Sequence, residues 1–124
     1  MRTLDTAKKI SGILEEIAAP MRLAILLSIG SGEACVCHLE AILGKRQAYI
    51  SQHLMALRQA GIITARRQGR FVYYRLADPA LLGLIRDAGR LAGAKVTTPL
   101  LTVACECPNC TQEQHEEKLA YSPG

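Results

Sequence analysis

Apolar residues at Leu4, Ala7, Ile10, Ile13, Leu14 and Ile17 recur at spacings of three and four, the pattern of one helical face, and the run closes near Ala19 ahead of Pro20. Proline suits the first turn of a helix, where its missing N–H would have no partner, so a second helix is expected over 20–29, stopped by Gly30. After a Ser31-Gly32 turn, residues 35–43 predict a short third helix with Gly44 as its stop. Ile50, Leu54 and Leu57 then stand at i, i+4 and i+7 and predict a fourth helix with a buried back. Its other faces carry Gln47, Ser51, Gln52, Met55 and Arg58, and Gly61 ends it.

The period then changes. Residues 62–66 and 71–76 are rich in β-branched and aromatic side chains and are separated by Arg67-Gln68-Gly69-Arg70, which predicts a hairpin with a basic tip. Asp78 and Pro79 cap a last helix over 80–93, with Leu81, Leu84, Ile85 and Leu91 on its apolar face. Gly83, Gly89 and Gly93 weaken that helix, so it is expected to depend on packing against a partner. From residue 94 the composition turns to Thr-Thr-Pro, a cysteine cluster and a polar run, the pattern of a partly flexible tail. The division expected is therefore a domain over 1–93 and a tail over 94–124.

Three short helices, a helix with an apolar back and a polar front, and a hairpin tipped by arginines form the plan of a winged helix-turn-helix, mainly α with a small β-hairpin wing. In that plan the fourth helix enters the major groove of double-stranded DNA and the hairpin follows the backbone or the minor groove. Gln47, Ser51 and Gln52 are the candidate base readers, because Gln pairs bidentately with adenine and Ser contacts several bases. His53 either joins them or is a half-buried, hydrogen-bonded histidine. Lys45, Arg46, Arg67 and Arg70 are the candidate phosphate contacts.

Charge strengthens this reading. The chain of 124 residues has a net charge of +4, but residues 41–77 contain no acid and seven bases, leaving −3 for the remainder. A basic block is the electrostatic footprint of a surface that meets phosphate, or else a solvated face. With 49% hydrophobic and 21% charged residues the chain is too apolar for wholesale disorder and long enough for one core. No apolar stretch approaches the roughly 20 residues that cross a bilayer, and no basic segment with an apolar run opens the chain. A cytoplasmic protein with no membrane partner is expected, and with it five reduced cysteines rather than a disulfide framework.

Three segments resemble the ArsR/SmtB repressors: residues 19–26 (APMRLAIL), 32–39 (GEACVCHL), and 51–63, with Ser51-Gln52-His53-Leu54 and Leu57-Arg58-Gln59-Ala60-Gly61-Ile62-Ile63. Their order and spacing match over residues 10–77. The resemblance implies a homodimer, paired through its first and last helices, that sits on a palindromic operator and leaves when a toxic metal, metalloid or oxidant arrives. Twofold symmetry would set the two recognition helices about 34–36 Å apart, one turn of DNA.

The resemblance also assigns a role to Cys35 and Cys37, which stand where the family's Cys-Val-Cys pair marks a site for arsenite, cadmium(II) or lead(II). Two positions depart from it: His38 replaces the usual aspartate, and Glu40 stands where the arsenite-type members carry a further cysteine. A third ligand must then come from elsewhere, and Cys105, Cys107 and Cys110 offer soft thiolates that select such ions. Alternatively those three form a trigonal site of their own. His38 is a weaker candidate ligand, and the absence of histidine between residues 80 and 93 argues against the family's last-helix zinc site.

Residues i and i+2 of a helix point about 200° apart, so Cys35 and Cys37 can share an ion only where the helix start is unwound or extended. Ion binding is then expected to distort the third helix and tilt the fourth. Arsenite is the first expectation for the inducer, with no organic cofactor. A thiol-disulfide redox sensor of the same fold is the alternative. A thiol enzyme or metal carrier is a third reading, but no candidate base lies near either cluster in sequence and the basic block would be unexplained, so no enzymatic activity is expected.

Overall fold

The computed structural model describes residues 2–96. The expectations for the cysteine-bearing tail, including Cys105, Cys107 and Cys110, lie outside the described residues. Within them the order is α1 (Arg2–Ile17), α2 (Pro20–Ile29), β1 (Ala34–Cys35), α3 (Val36–Leu43), α4 (Gln47–Gln59), β2 (Ile63–Gln68), β3 (Phe71–Leu76) and α5 (Ala80–Leu91). The fold is the predicted one, mainly α with a small β-hairpin wing.

The helix ends follow from the residues at them. Pro20 opens α2, and Gly44 closes α3 by donating its N–H to the Glu40 carbonyl at 2.8 Å. The Asp78 carboxylate accepts the Ala80 N–H at 2.9 Å and so caps α5 as expected. Ile25, Leu26, Leu39, Ile50, Leu54 and Leu57 are almost wholly buried and form the centre of the core. The helix-turn-helix is thus held by its own apolar backs, which leaves the front of α4 open.

The amphipathic patterns of α1 and α5 specify helices whose faces the described residues do not cover. Ile17 is the single buried residue of α1, while Ile10 and Ile13 are 53% and 51% exposed and Leu4 and Leu14 also lie open. On α5, Ile85 is buried but Leu84 is exposed and Leu91 is 86% exposed. Ile13, Ile62, Leu81 and Leu84 line one groove, so the open faces of the two helices are continuous.

The wing departs from the expectation in length. The ladder pairs Arg67 with Val72 and Gln68 with Phe71, so β2 runs two residues further than its β-branched residues indicate, and the loop shrinks to Gly69-Arg70. Gly69 has φ +61°, the left-handed value that a two-residue hairpin turn of the primed type needs at its first position. Gly89 meets a different demand. A Cβ there would lie 2.6 Å from Val96 Cγ2, because the chain leaving α5 folds back over this glycine, with the Ala94 N–H donating to the Gly89 carbonyl at 2.8 Å.

A third strand is new. β1, only two residues long, adds to the hairpin in the order β1-β3-β2, pairing Ala34 with Tyr74 and Cys35 with Tyr73. The pleat gives the sheet two faces. Ala34, Tyr74, Ile63 and Leu76 join the main core, whereas Cys35 and Tyr73 make a separate small cluster with Cys37 and Phe71 packed against it.

Candidate functional site

The front of α4 presents the residues expected to read DNA. Lys45, Arg46, Gln47 and Gln52 are exposed and Ser51 is half-buried, all near the start of the helix. No side chain caps that start, so its first N–H groups face outward beside Lys45 and Arg46, an arrangement suited to phosphate. His53 sits differently. It is half-buried, its Nδ1 accepts a hydrogen bond from Arg22 Nε at 3.4 Å, and the Tyr49 ring meets it edge-on at 4.8 Å. Arg22 also donates to the Glu16 carbonyl at 2.9 Å and to its carboxylate at 3.0 Å, which ties the ends of α1 and α2 to α4. Met55 is exposed as its spacing indicated, and Tyr49, which the sequence argument did not weigh, adds further apolar surface to this otherwise polar helix. The signal for Tyr49 was available: it lies next to Ile50, a buried position of the i, i+4 pattern, and so must point outward.

The basic residues of the wing divide into two kinds. Arg67 and Arg70 are exposed, the latter with its guanidinium 5.1 Å over the Phe71 ring. Arg66 is engaged: Nε donates to Glu33 at 2.6 Å, Nη1 donates to Gln68 at 3.0 Å, and the guanidinium lies 4.6 Å over the Tyr73 ring. The hydrogen bond to Glu33 raises its pKa further above the usual arginine value. Nothing local in the sequence links Glu33 to Arg66, because the β1–β3–β2 pairing brings them together.

The cysteine pair corrects one step of the sequence argument. Cys35 is not the first helical residue but the extended residue before it, with φ −89° and ψ 167°, paired in β1, and α3 starts at Val36. The extended start removes the 200° divergence, and the two Sγ atoms lie 2.8 Å apart. Convergence is therefore built into the fold and needs no unwinding of α3. Cys37 is one half of a disulfide in which Cys35 is not the other half, since 2.8 Å is well beyond the ~2.05 Å covalent distance. Two sulfurs make an incomplete ion site, and among the described residues no three His, Cys, Asp or Glu side chains gather in the manner of a metal centre.

Three comparisons place this geometry among known proteins. Residues 19–65 match the family model "Bacterial regulatory protein, arsR family", a span that holds α2 to α4, Cys35, Cys37 and the α4 front but ends before Arg67 and Arg70. The HTH-type transcriptional repressor SmtB of Mycobacterium tuberculosis is 43% identical over 81 residues, 65% of this chain and 60% of that protein's length. The arsenical resistance operon repressor of Escherichia coli is 37% identical over 99 residues, 77% of this chain and 83% of that protein. The chain belongs to the ArsR family. Among solved structures, the transcriptional repressor BigR from Xylella fastidiosa superposes with a TM-score of 0.68 at 28% identity, covering 76% of this chain and 96% of that one. As an ArsR-family member the chain carries that family's winged-helix DNA-binding fold. No helix among the described residues is long and apolar enough to cross a membrane.

His38, next to the cysteine pair, is 3% exposed, and burial pushes its pKa below the usual 6.5. The unfolded chain therefore binds a proton near pH 6.5 that the folded chain refuses until lower pH, so stability is present above that range and is lost as pH falls through it. The urea midpoint is expected to drop between pH 7.5 and 5.5, and to drop less in His38→Gln. Equal drops in both proteins would show that His38 is not the titrating group.

Proposed function

We propose that this ArsR-family regulator is a homodimeric repressor that holds operator DNA and releases it when a thiophilic ion, most readily arsenite with cadmium or lead as alternatives, binds its cysteine thiolates. The observation that carries the inducer is the convergence of Cys35 and Cys37 Sγ at 2.8 Å beside the wing strand β3. Soft thiolates prefer such ions over hard cations. The name of the Escherichia coli relative, an arsenical resistance operon repressor, supports arsenite in particular. One or more of Cys105, Cys107 and Cys110 complete the site. Gln47, Ser51 and Gln52 read bases and Lys45, Arg46, Arg67 and Arg70 hold phosphates. His53, braced by Arg22 and Tyr49, positions the helix and offers its remaining ring edge.

A second reading is thiol-disulfide sensing, favoured by the disulfide at Cys37. Fluorescence anisotropy of fully reduced protein on the DNA upstream of its own gene separates the two, with titrations of arsenite, cadmium, lead, zinc and peroxide. Release at stoichiometric arsenite supports the metalloid reading, and release by peroxide alone supports the redox one. Absence of DNA binding under every condition defeats both.

A further inference from the structure

We propose that Met55 is a specificity-determining residue of α4 that reads a thymine methyl group in the major groove, so that the DNA sites this chain prefers carry neighbouring A·T pairs under Gln52 and Met55; this rests on the DNA-binding reading above.

The helical period lays out the surface. At about 100° per residue, Ala48, Gln52, Met55 and Gln59 fall within about 50° of the direction opposite the buried Ile50, Leu54 and Leu57. All four are exposed, Met55 to 62%. They form the outermost ridge of the helix, and it carries no charge. Its rim does: Lys45 and Arg46 precede the helix start and Arg58 stands about a quarter turn to one side, all exposed, and no acid occurs between residues 41 and 77. An uncharged ridge rimmed by cations is complementary to a groove whose walls are phosphates and whose floor is neutral base edges.

The residue types on the ridge select among the base pairs. Pairing with guanine O6 and N7 calls for Arg or Lys, and accepting from cytosine N4 calls for Glu or Asp; the ridge has none of them. Gln52 matches adenine N6 and N7. Met55 has no N–H or O–H to donate and its sulfur is a weak acceptor, so its gain on binding is the removal of apolar surface from water. The apolar feature of the major-groove floor is the thymine C5-methyl. An unbranched, polarizable side chain adapts to it without one fixed rotamer. Three residues advance ~4.5 Å along a helix, against the ~3.4 Å step of a duplex, so Gln52 and Met55 meet neighbouring pairs.

The test uses the full reduced chain and a library of duplexes of random sequence, from which bound DNA is selected and sequenced. The selected sites are expected to share adjacent A·T pairs. In a duplex of the selected sequence each thymine is then replaced singly by deoxyuridine, which removes the methyl and keeps every hydrogen-bonding group. At least one replacement should weaken binding by about fourfold, the effect of one buried methyl group. In Met55→Ser the loss at one such position should vanish, so that thymine and uridine duplexes bind equally there. The salt dependence of binding should stay that of the unsubstituted chain, because no phosphate contact is removed. Met55 is exposed, so the variant should fold unchanged, and Met55→Leu, which keeps an apolar side chain, should retain a loss at that position. Selected sites without adjacent A·T pairs overturn the proposal. So do equal affinities for every uridine duplex in the wild type, or uridine losses that all persist in Met55→Ser. Retention of no duplex from the library is the distinct result that removes the DNA-binding reading itself, and the proposal with it.

Discussion

Replacing both Cys35 and Cys37 by serine is expected to leave operator binding by the reduced protein intact and to abolish its release by arsenite or cadmium. The two side chains lie behind the wing strand β3 and not on the exposed front of α4, so their loss removes no DNA contact. Serine keeps nearly the same volume in the Cys35–Tyr73 cluster but replaces a soft thiolate donor with a hard hydroxyl. The roughly 5- to 150-fold weakening by inducer should shrink to no measurable change in anisotropy titrations. Reciprocity supplies a second check, because operator DNA must weaken ion binding to the unsubstituted protein by the same factor. Full induction of the double variant would transfer the site to other ligands and end the role assigned to this pair.

The difference between what the sequence revealed and what it hid is a difference between local and non-local physics. Pro20, Gly30 and Gly44 mark helix ends through backbone rules that act within a few residues, and Ile50, Leu54 and Leu57 announce the back of α4 by spacing alone. The front of α4 follows by subtraction, so Gln47, Ser51 and Gln52 were legible as surface. β1 was not legible, since two residues carry no period and Ala34 and Cys35 become a strand only by pairing with Tyr74 and Tyr73, some 38 residues later. The geometry of the cysteine pair depends on that strand. A helix begun at Cys35 sends the two thiols apart; a strand ending at Cys35 brings them together.

Charge counting has the same limit. The seven bases of residues 41–77 form one block in sequence, yet Arg66 is tied to Glu33, which lies outside the block. Exposed ion pairs contribute little to stability, and the weight of this one lies in geometry: with Glu33 as its partner the Arg66 guanidinium stands over the Tyr73 ring. In the proposed DNA-bound state the phosphate contacts of the wing therefore fall to the exposed Arg67 and Arg70.

The double substitution Ile10→Glu with Leu14→Glu is expected to have the largest effect on operator binding, although neither residue is near the α4 front. Both side chains lie open on α1, so the single chain should fold with an unchanged circular dichroism spectrum and melting temperature when monomeric. In the proposed homodimer the exposed faces of α1 and α5 cover each other, and each glutamate enters a twofold interface twice, as a charge taken out of water without a partner. Sedimentation velocity should then show a monomer where the unsubstituted chain shows a dimer. Operator affinity should fall by about 100-fold or more, because two half-sites linked in one particle bind with an advantage of roughly 10²–10⁴ over separate ones. The residual binding should respond to inducer as before, since Cys35, Cys37 and the wing lie within one chain. A variant that still sediments as a dimer would move the interface away from α1. A wild type that is monomeric on DNA would leave the apolar faces of α1 and α5 to another partner.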